Sequence, residues 1–384
     1  MQLKLSLITI TLLTSMAIQA EDFVSIQYLQ YNENNDRASI SAPSIMINKD
    51  FGTDYTLNTS FVIDVVSGAT QTYYDSSSGA SSSSGASALA RKKGVKVENI
   101  RYGNVEYDEK RVAGSILLTK RFSNRDELSI GISRSNESDF YSTELSSEYM
   151  HWSDSSKNRS LSFGVSYQYN EILKRCSNID GCSGASQKLD AKAINIQVGF
   201  SQNIDVTSTF KIAPFISKES GYLDNPYLNI IRNYQENDKG DIVGEKRPNS
   251  KVAYGIALKY VKAVSDIITI HLGYRYYNDD WSISSNTLDG TLFYEYNDDW
   301  ILDFGLRAYI QTQANFFSPY KDYFTNENYA SSDTRLSNFN ALTYKADITY
   351  KLDADLSVNF GIQYYAQSTN LKTLNIISGF NYNF

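Results

Sequence analysis

The sequence predicts an all-β protein, a transmembrane up-and-down antiparallel β-barrel of about 16 strands (14 to 18) that follows a cleaved signal peptide. Three observations predict it. First, the C-terminal stretch alternates: Leu374, Ile376, Phe380, Tyr382 and Phe384 interleave with Asn375, Gly379, Asn381 and Asn383. A period of two with one apolar and one small or polar face is a strand wetted on one side, here with lipid outside and a polar lumen inside. Second, the same period recurs along the chain, as in Leu302, Phe304, Leu306, Ala308 and Ile310 or Leu356, Val358, Phe360, Ile362 and Tyr364. Third, no apolar run beyond residue 20 is long enough for a membrane helix. A membrane protein of this composition must then satisfy its backbone amides between strands of a closed sheet.

Residues 1–20 read as an export signal, with Lys4 as the only charge, an apolar core from Leu5 to Leu13, and mostly small residues from Ala17 to Ala20. Cleavage is expected after Ala20. The apolar core is shorter than the ~20 residues of a membrane span. Residues 21–384 are expected to form one barrel domain, with strands at 23–31, 37–48, 54–66, 105–122, 127–135, 140–152, 159–170, 190–202, 207–219, 250–262, 267–277, 283–296, 300–314, 339–351, 356–367 and 371–384.

The connections sort themselves. Those expected on the periplasmic end are short and turn-like, such as Asn203-Ile204-Asp205 and Asp353-Ala354-Asp355. The long ones, 67–104, 171–189, 221–249 and 315–338, all fall on the opposite, outer end, as in bacterial barrels. Segment 67–104 contains a Ser/Gly/Ala tract from Ser76 to Ser87. Such a tract cannot bury enough apolar surface to order itself. It reads either as a solvated outer loop or as a loop that enters the lumen and gates it.

Composition narrows the function classes. The 36 basic and 43 acidic residues give a net charge of −7 without a basic stripe, which argues against nucleic acid. Tyr is the dominant aromatic, with 30 copies, and suits a membrane–water boundary. Cys176 and Cys182 are expected to form a local disulfide in an exported protein, with a free thiol or a metal role as the other readings. Only His151 and His271 could serve as catalytic bases, and no Ser–His pair shares a face, so no enzyme activity and no cofactor are expected. Outer-loop Asp224, Asp238, Asp279, Asp280, Asp322 and Asp333 carry hard oxygen ligands but match no calcium-loop spacing.

Strand parity turns both charge signs into the lumen. Arg275, His271, Asp303, Arg307, Lys345 and Asp347 face in, as do Lys211, Lys259, Lys351, Asp289 and Glu295. These either cross-brace the lumen by pairing or line a selective path for a small polar or charged solute.

Several strings resemble the bacterial family catalogued as domain of unknown function 3570. They are Asp64-Val65-Val66-Ser67-Gly68-Ala69-Thr70; Gly221-Tyr222-Leu223 with Asn225-Pro226-Tyr227; Tyr274-Arg275-Tyr276-Tyr277 leading to Asp279-Asp280-Trp281 and Thr287; and Ser331-Ser332-Asp333 with Arg335-Leu336-Ser337 and Ala341-Leu342-Thr343. The resemblance implies an outer-membrane barrel of no established activity, with Asp64, Ser67, Gly68, Asp279, Asp280, Trp281, Asp333 and Arg335 as outer-loop candidates. It also implies an envelope setting that includes a small lipoprotein and redox proteins. Phe384 resembles the terminal signal by which barrels engage the barrel-assembly machinery. The function expected is a porin-like conduit for a small hydrophilic solute in the Gram-negative outer membrane. The alternative is a non-conducting scaffold whose Asp279-Asp280-Trp281 and Asp333–Arg335 surfaces hold an envelope partner. A soluble all-β protein would leave the outward Leu, Ile, Phe and Tyr rows unburied.

Overall fold

Alternation along each strand forces a choice of two environments, and a computed structural model shows how the chain meets it. The structure describes residues 22–78, 91–175, 186–235, 238–319, 324–325 and 327–384. The expected signal peptide, Cys176 and Cys182, most of the Ser/Gly tract and Asp322 lie outside the described residues.

The strands run β1 Phe23–Glu33, β2 Ala38–Phe51, β3 Tyr55–Asp75, β4 Lys92–Lys96, β5 Ile100–Arg121, β6 Glu127–Asn136 and β7 Phe140–Trp152. Next come β8 Arg159–Arg175, β9 Ser186–Asp205, β10 Ser208–Gly221, β11 Asn229–Gln235, β12 Lys239–Gly244 and β13 Ser250–Ser265. The last six are β14 Ile268–Asp279, β15 Ser284–Glu295, β16 Trp300–Gln311, β17 Phe339–Lys351, β18 Leu356–Gln367 and β19 Lys372–Asn383. All but β4, β11 and β12 form one closed antiparallel barrel of neighbouring strands. β1 closes it against β19, with Phe23 opposite Asn383, and the Phe384 amide donates to the Asp22 carbonyl at 2.9 Å. Closure leaves no edge strand, the condition for a sheet in lipid. The protein is thus a transmembrane up-and-down barrel, and each of the sixteen strands predicted has its counterpart.

The two faces follow the predicted parity. Ile116 and Leu118 on β5, Phe304 and Leu306 on β16, and Phe360 and Ile362 on β18 are all exposed on the outside. At the rim carrying the short turns, lysines lie over aromatic rings: Lys49 over Phe384 at 4.6 Å, Lys120 over Phe122 at 5.3 Å, and Lys157 over Trp152 at 4.9 Å. An aromatic body with a cationic head suits the boundary between lipid and water.

The outer segment 67–104 differs from expectation. β3 continues to Asp75 and β5 starts at Ile100, so Ser67 and Gly68 are strand residues, paired with Asp108 and Tyr107. The extension holds because the two strands pair continuously to Asp75 opposite Ile100, and Tyr73 and Thr72 bury themselves beyond the barrel wall. β4, β11 and β12 form a separate three-stranded sheet in the order β11-β12-β4, within segments expected to be loops. Its register joins Lys96 to Lys239 and Ile230 to Val243.

Candidate functional site: a charged lumen beneath a knitted loop cap

Three long connections leave one rim after the third, ninth and thirteenth of the sixteen barrel strands. These exits are six, four and six strands apart around the ring, yet the connections touch one another. They therefore cross the mouth. β4 from the first pairs with β12 from the second. Tyr73, Val95, Ile231 and Ile242 form the small core beneath that sheet, and Asn229 ties it to β3, its amide donating to Thr72 Oγ1 at 2.8 Å. The second and third connections meet through Lys246 and Ala330, which exchange backbone bonds at 3.0 and 2.8 Å, and through a core of Ile230, Phe324 and Ala330. A last cluster of Trp281, Ile283, Ala314, Phe316 and Leu336 seats the third connection on the β14–β15 turn.

Charge completes the cap. Arg247 lies 2.6 Å from Glu245 and 2.7 Å from Asp333, and Arg335 reaches the same Asp333 oxygen at 2.6 Å. Glu245 also accepts from the Asn225 amide at 2.6 Å and from Ser331 Oγ at 2.5 Å. Burial pushes the Glu245 carboxyl up against the pull of Arg247. Burial opposes ionisation of Asp333 as well, but Arg335 and Arg247 outweigh it and hold that carboxyl far below the usual range. These bonds converge on Glu245 and Asp333 and join the second connection to the third. Glu245 and Arg247 were missed in the sequence, where both sit in an ordinary polar stretch.

Below the cap, the predicted lumen residues separate into groups. On β17, Lys345 lies 2.9 Å from Asp347, which stands opposite Asp303 of β16. His271 packs its ring 4.5 Å from Phe293 rather than joining a catalytic pair, and His151 bonds Asp126 at 2.9 Å at the turn rim. Arg275 is exposed to the lumen and lies 4.9 Å over the Phe215 ring, while Arg307 is exposed opposite Asp289. Asp64 faces the lumen from inside β3, buried in an ion pair with Arg111, rather than standing in an outer loop. Carboxylates lean on the wall where the cross-strand partner is glycine. Asp289 lies over Gly273, where a Cβ would sit 2.5 Å from its oxygen, and Asp347 lies over Gly361 in the same way. Among the described residues, no three His, Cys, Asp or Glu side chains converge as a metal site.

The outer-loop candidates are placed differently from a docking surface. Asp279, Trp281 and Asp333 are buried, while Asp280 is exposed and Arg335 is half-exposed. Trp281 sits edge-on to Phe316 at 5.2 Å and donates its indole N–H to the Ser250 carbonyl at 3.0 Å. Asp279 accepts from the amides of Trp281 and Ile283 at 3.0 and 2.9 Å. A surface needed by a partner cannot be made of residues already used to hold the turn and cap together.

The sequence matches the family described as Protein of unknown function (DUF3570) over residues 6–382. The chain belongs to the DUF3570 family. In this DUF3570 chain, the strings that resemble the family gather at the capped rim: Asn225, Ser331, Asp333 and Arg335 in the charge network, and Leu223, Trp281 and Leu336 in the apolar cluster. A search of curated proteins gives no match. Among solved structures, the chain is similar to the CymD monoaromatic hydrocarbon channel, with 10% identity, a TM-score of 0.43, and coverage of 99% of this chain and 92% of that one. OpdQ from Pseudomonas aeruginosa gives 8% identity, a TM-score of 0.43, and coverage of 95% and 98%. The siderophore receptor PirA from Acinetobacter baumannii gives 10% identity, a TM-score of 0.43 and coverage of 91% of this chain, which spans about half (54%) of the receptor.

Proposed function

We propose that this protein is an outer-membrane conduit for a small hydrophilic solute, with its turn rim in the periplasm and its loop cap forming the outer constriction. One observation carries the reading. Among the described residues, Arg275, Arg307 and Lys345 remain exposed on the inner wall. A sixteen-strand barrel leaves an interior wider than its own side chains fill. Charged groups lining such a path select among solutes.

A second reading is favoured by the cap itself. Connections that cross the mouth and share three apolar clusters and a buried charge network also suit a closed, non-conducting scaffold for an envelope assembly. Its partner would be of the small-lipoprotein or redox-protein kind that the family resemblance implies. Of the residues expected to hold it, Asp280 is exposed, whereas Asp279, Trp281, Asp333 and Arg335 are already engaged within the turn and cap.

Single-channel recording of the refolded barrel in a planar bilayer separates the two. Steady conductance in the intact protein, or conductance gained when Arg247→Ala loosens the cap, supports the conduit. Silence in both, from protein that still shows the heat-dependent gel mobility of a folded barrel, overturns it in favour of the scaffold.

A further inference from the structure

Four lumen cations stand together on adjoining strands with a single carboxylate, Asp289, among them. Lys211 on β10 is directly opposite Lys259 on β13. Lys259 is in turn opposite Gly273 of β14, two residues from Arg275. Gly273 faces Asp289 of β15, and Asp289 faces Arg307 of β16. Lys211, Lys259 and Arg307 thus follow one row of the inner wall, which also holds Asp289, and Arg275 stands one inward position along β14, opposite Ala257 and Thr287. Among the described residues none of the four forms an ion pair. Lys211, Arg275 and Arg307 are exposed and Lys259 is half-buried.

Nearby carboxylates are committed elsewhere. Glu219 is 2.7 Å from Lys251, and Asp279 holds Tyr277 Oη at 2.8 Å and two turn amides. Asp347 is 2.9 Å from Lys345. Asp303, two inward positions from Arg307 on β16, stands opposite Asp347, and Glu295 lies at the far end of β15. Glu144 and Glu148 are on β7, away from the row. Like charges placed directly across a strand pair destabilise it. A fold that pairs Asp64 with Arg111 and Glu245 with Arg247 is able to neutralise cations, so their accumulation here asks for a counter-charge from outside the chain. Low-dielectric walls concentrate the field of such a row on whatever enters. Phe215 beneath Arg275 holds the guanidinium by its ring face and leaves the N–H edges free to meet oxygen.

We infer that the Lys211–Lys259–Arg275–Arg307 cluster is an anion-binding station, and that the solute drawn into the lumen bears carboxylate or phosphate oxygens. The word solute rests on the conduit reading; the station itself does not. Bidentate acceptors of this kind match guanidinium geometry, with the lysines adding point charge.

The test uses two readouts on the refolded full-length chain. In the first, Thr287→Cys, opposite Arg275, is made with Cys176 and Cys182 replaced by Ser. Its thiol is modified with an anionic sulfonatoethyl or a cationic trimethylammonioethyl methanethiosulfonate. The anionic reagent should react faster by about tenfold or more at low salt, and K211Q/K259Q/R275Q/R307Q should abolish the preference. Equal rates, a cationic preference, or a preference that survives the four substitutions would overturn the station. In the second, the reversal potential across a KCl gradient should report anion preference in the parent and lose it in the fourfold variant. A conducting barrel whose selectivity ignores the four substitutions sinks the station and leaves the conduit standing. A silent barrel that keeps the anionic thiol preference does the reverse.

Discussion

Arg247 and Asp333 meet at 2.7 Å although 86 residues separate them, and this contact joins two connections that leave the rim at different points of the barrel. Glu245 completes the contact from the other side of Arg247 and is fully buried. Removing one member of a buried charge pair costs about 3–5 kcal/mol because the survivor is left without compensation. Arg247→Ala should therefore loosen the cap while leaving the barrel wall intact. Limited proteolysis of the folded protein should show new cleavage within 222–249, and the double change Glu245→Gln with Arg247→Met should be cut less than Arg247→Ala.

Opposite faces of β16 should respond oppositely to charge. Leu306 is exposed to lipid, whereas Arg307 is exposed to the lumen. Lysine near the bilayer midplane of a barrel costs about 2–4 kcal/mol. Leu306→Lys should lower stability by that amount in guanidinium unfolding from lipid vesicles. Arg307→Gln should change it little, since the side chain it replaces is already in water.

Asp289 rests on Gly273, with 2.5 Å between its oxygen and the place a Cβ would take. Gly273→Val must lift that carboxylate off the wall, at an overpacking cost of about 1–3 kcal/mol. A raised Asp289 would narrow the lumen and bring a negative charge beside Arg307. Lower single-channel conductance with a shift toward cations is expected; an unchanged current would show that the side chain finds room elsewhere.

Glu137, in the connection between β6 and β7, supplies a pH dependence. Burial lifts its carboxyl from 4.5 to about 7, with Arg111 opposing the rise and Glu109 and Asp139 adding to it. A raised folded-state value means that the ionised form is the disfavoured one. Its stabilising contribution is complete below 4.5 and is lost as pH rises through about 7. Unfolding midpoints should fall across that window, and Glu137→Gln should flatten the fall.

Much of this was legible in the chain. The alternation of Leu302, Phe304, Leu306, Ala308 and Ile310 placed β16 and turned Asp303 and Arg307 inward, because a period of two needs no knowledge of the neighbours. The cap was not legible. Lys92–Lys96 is a five-residue strand with charge on three of its positions, and it pairs with β12 far along the chain. Nothing local marks Val95 as a core residue or Trp281 as buried. The apolar partners that bury them, Tyr73 and Ile242 for the first and Phe316 for the second, come from other connections.

The amino-acid pattern is enough to state how many strands cross, which side chains meet lipid and which rim carries the long connections. Those properties depend on each residue's own neighbours along the strand and on the solvent each face must meet. Which cations stand together and which loops lock together depends on tertiary pairing. Pairing of β10 with β13 sets Lys211 against Lys259, and the crossing connections carry Asp333 to Arg247 at the mouth. Pairings between distant segments leave no periodic trace in either one, so only the folded barrel brings them into view.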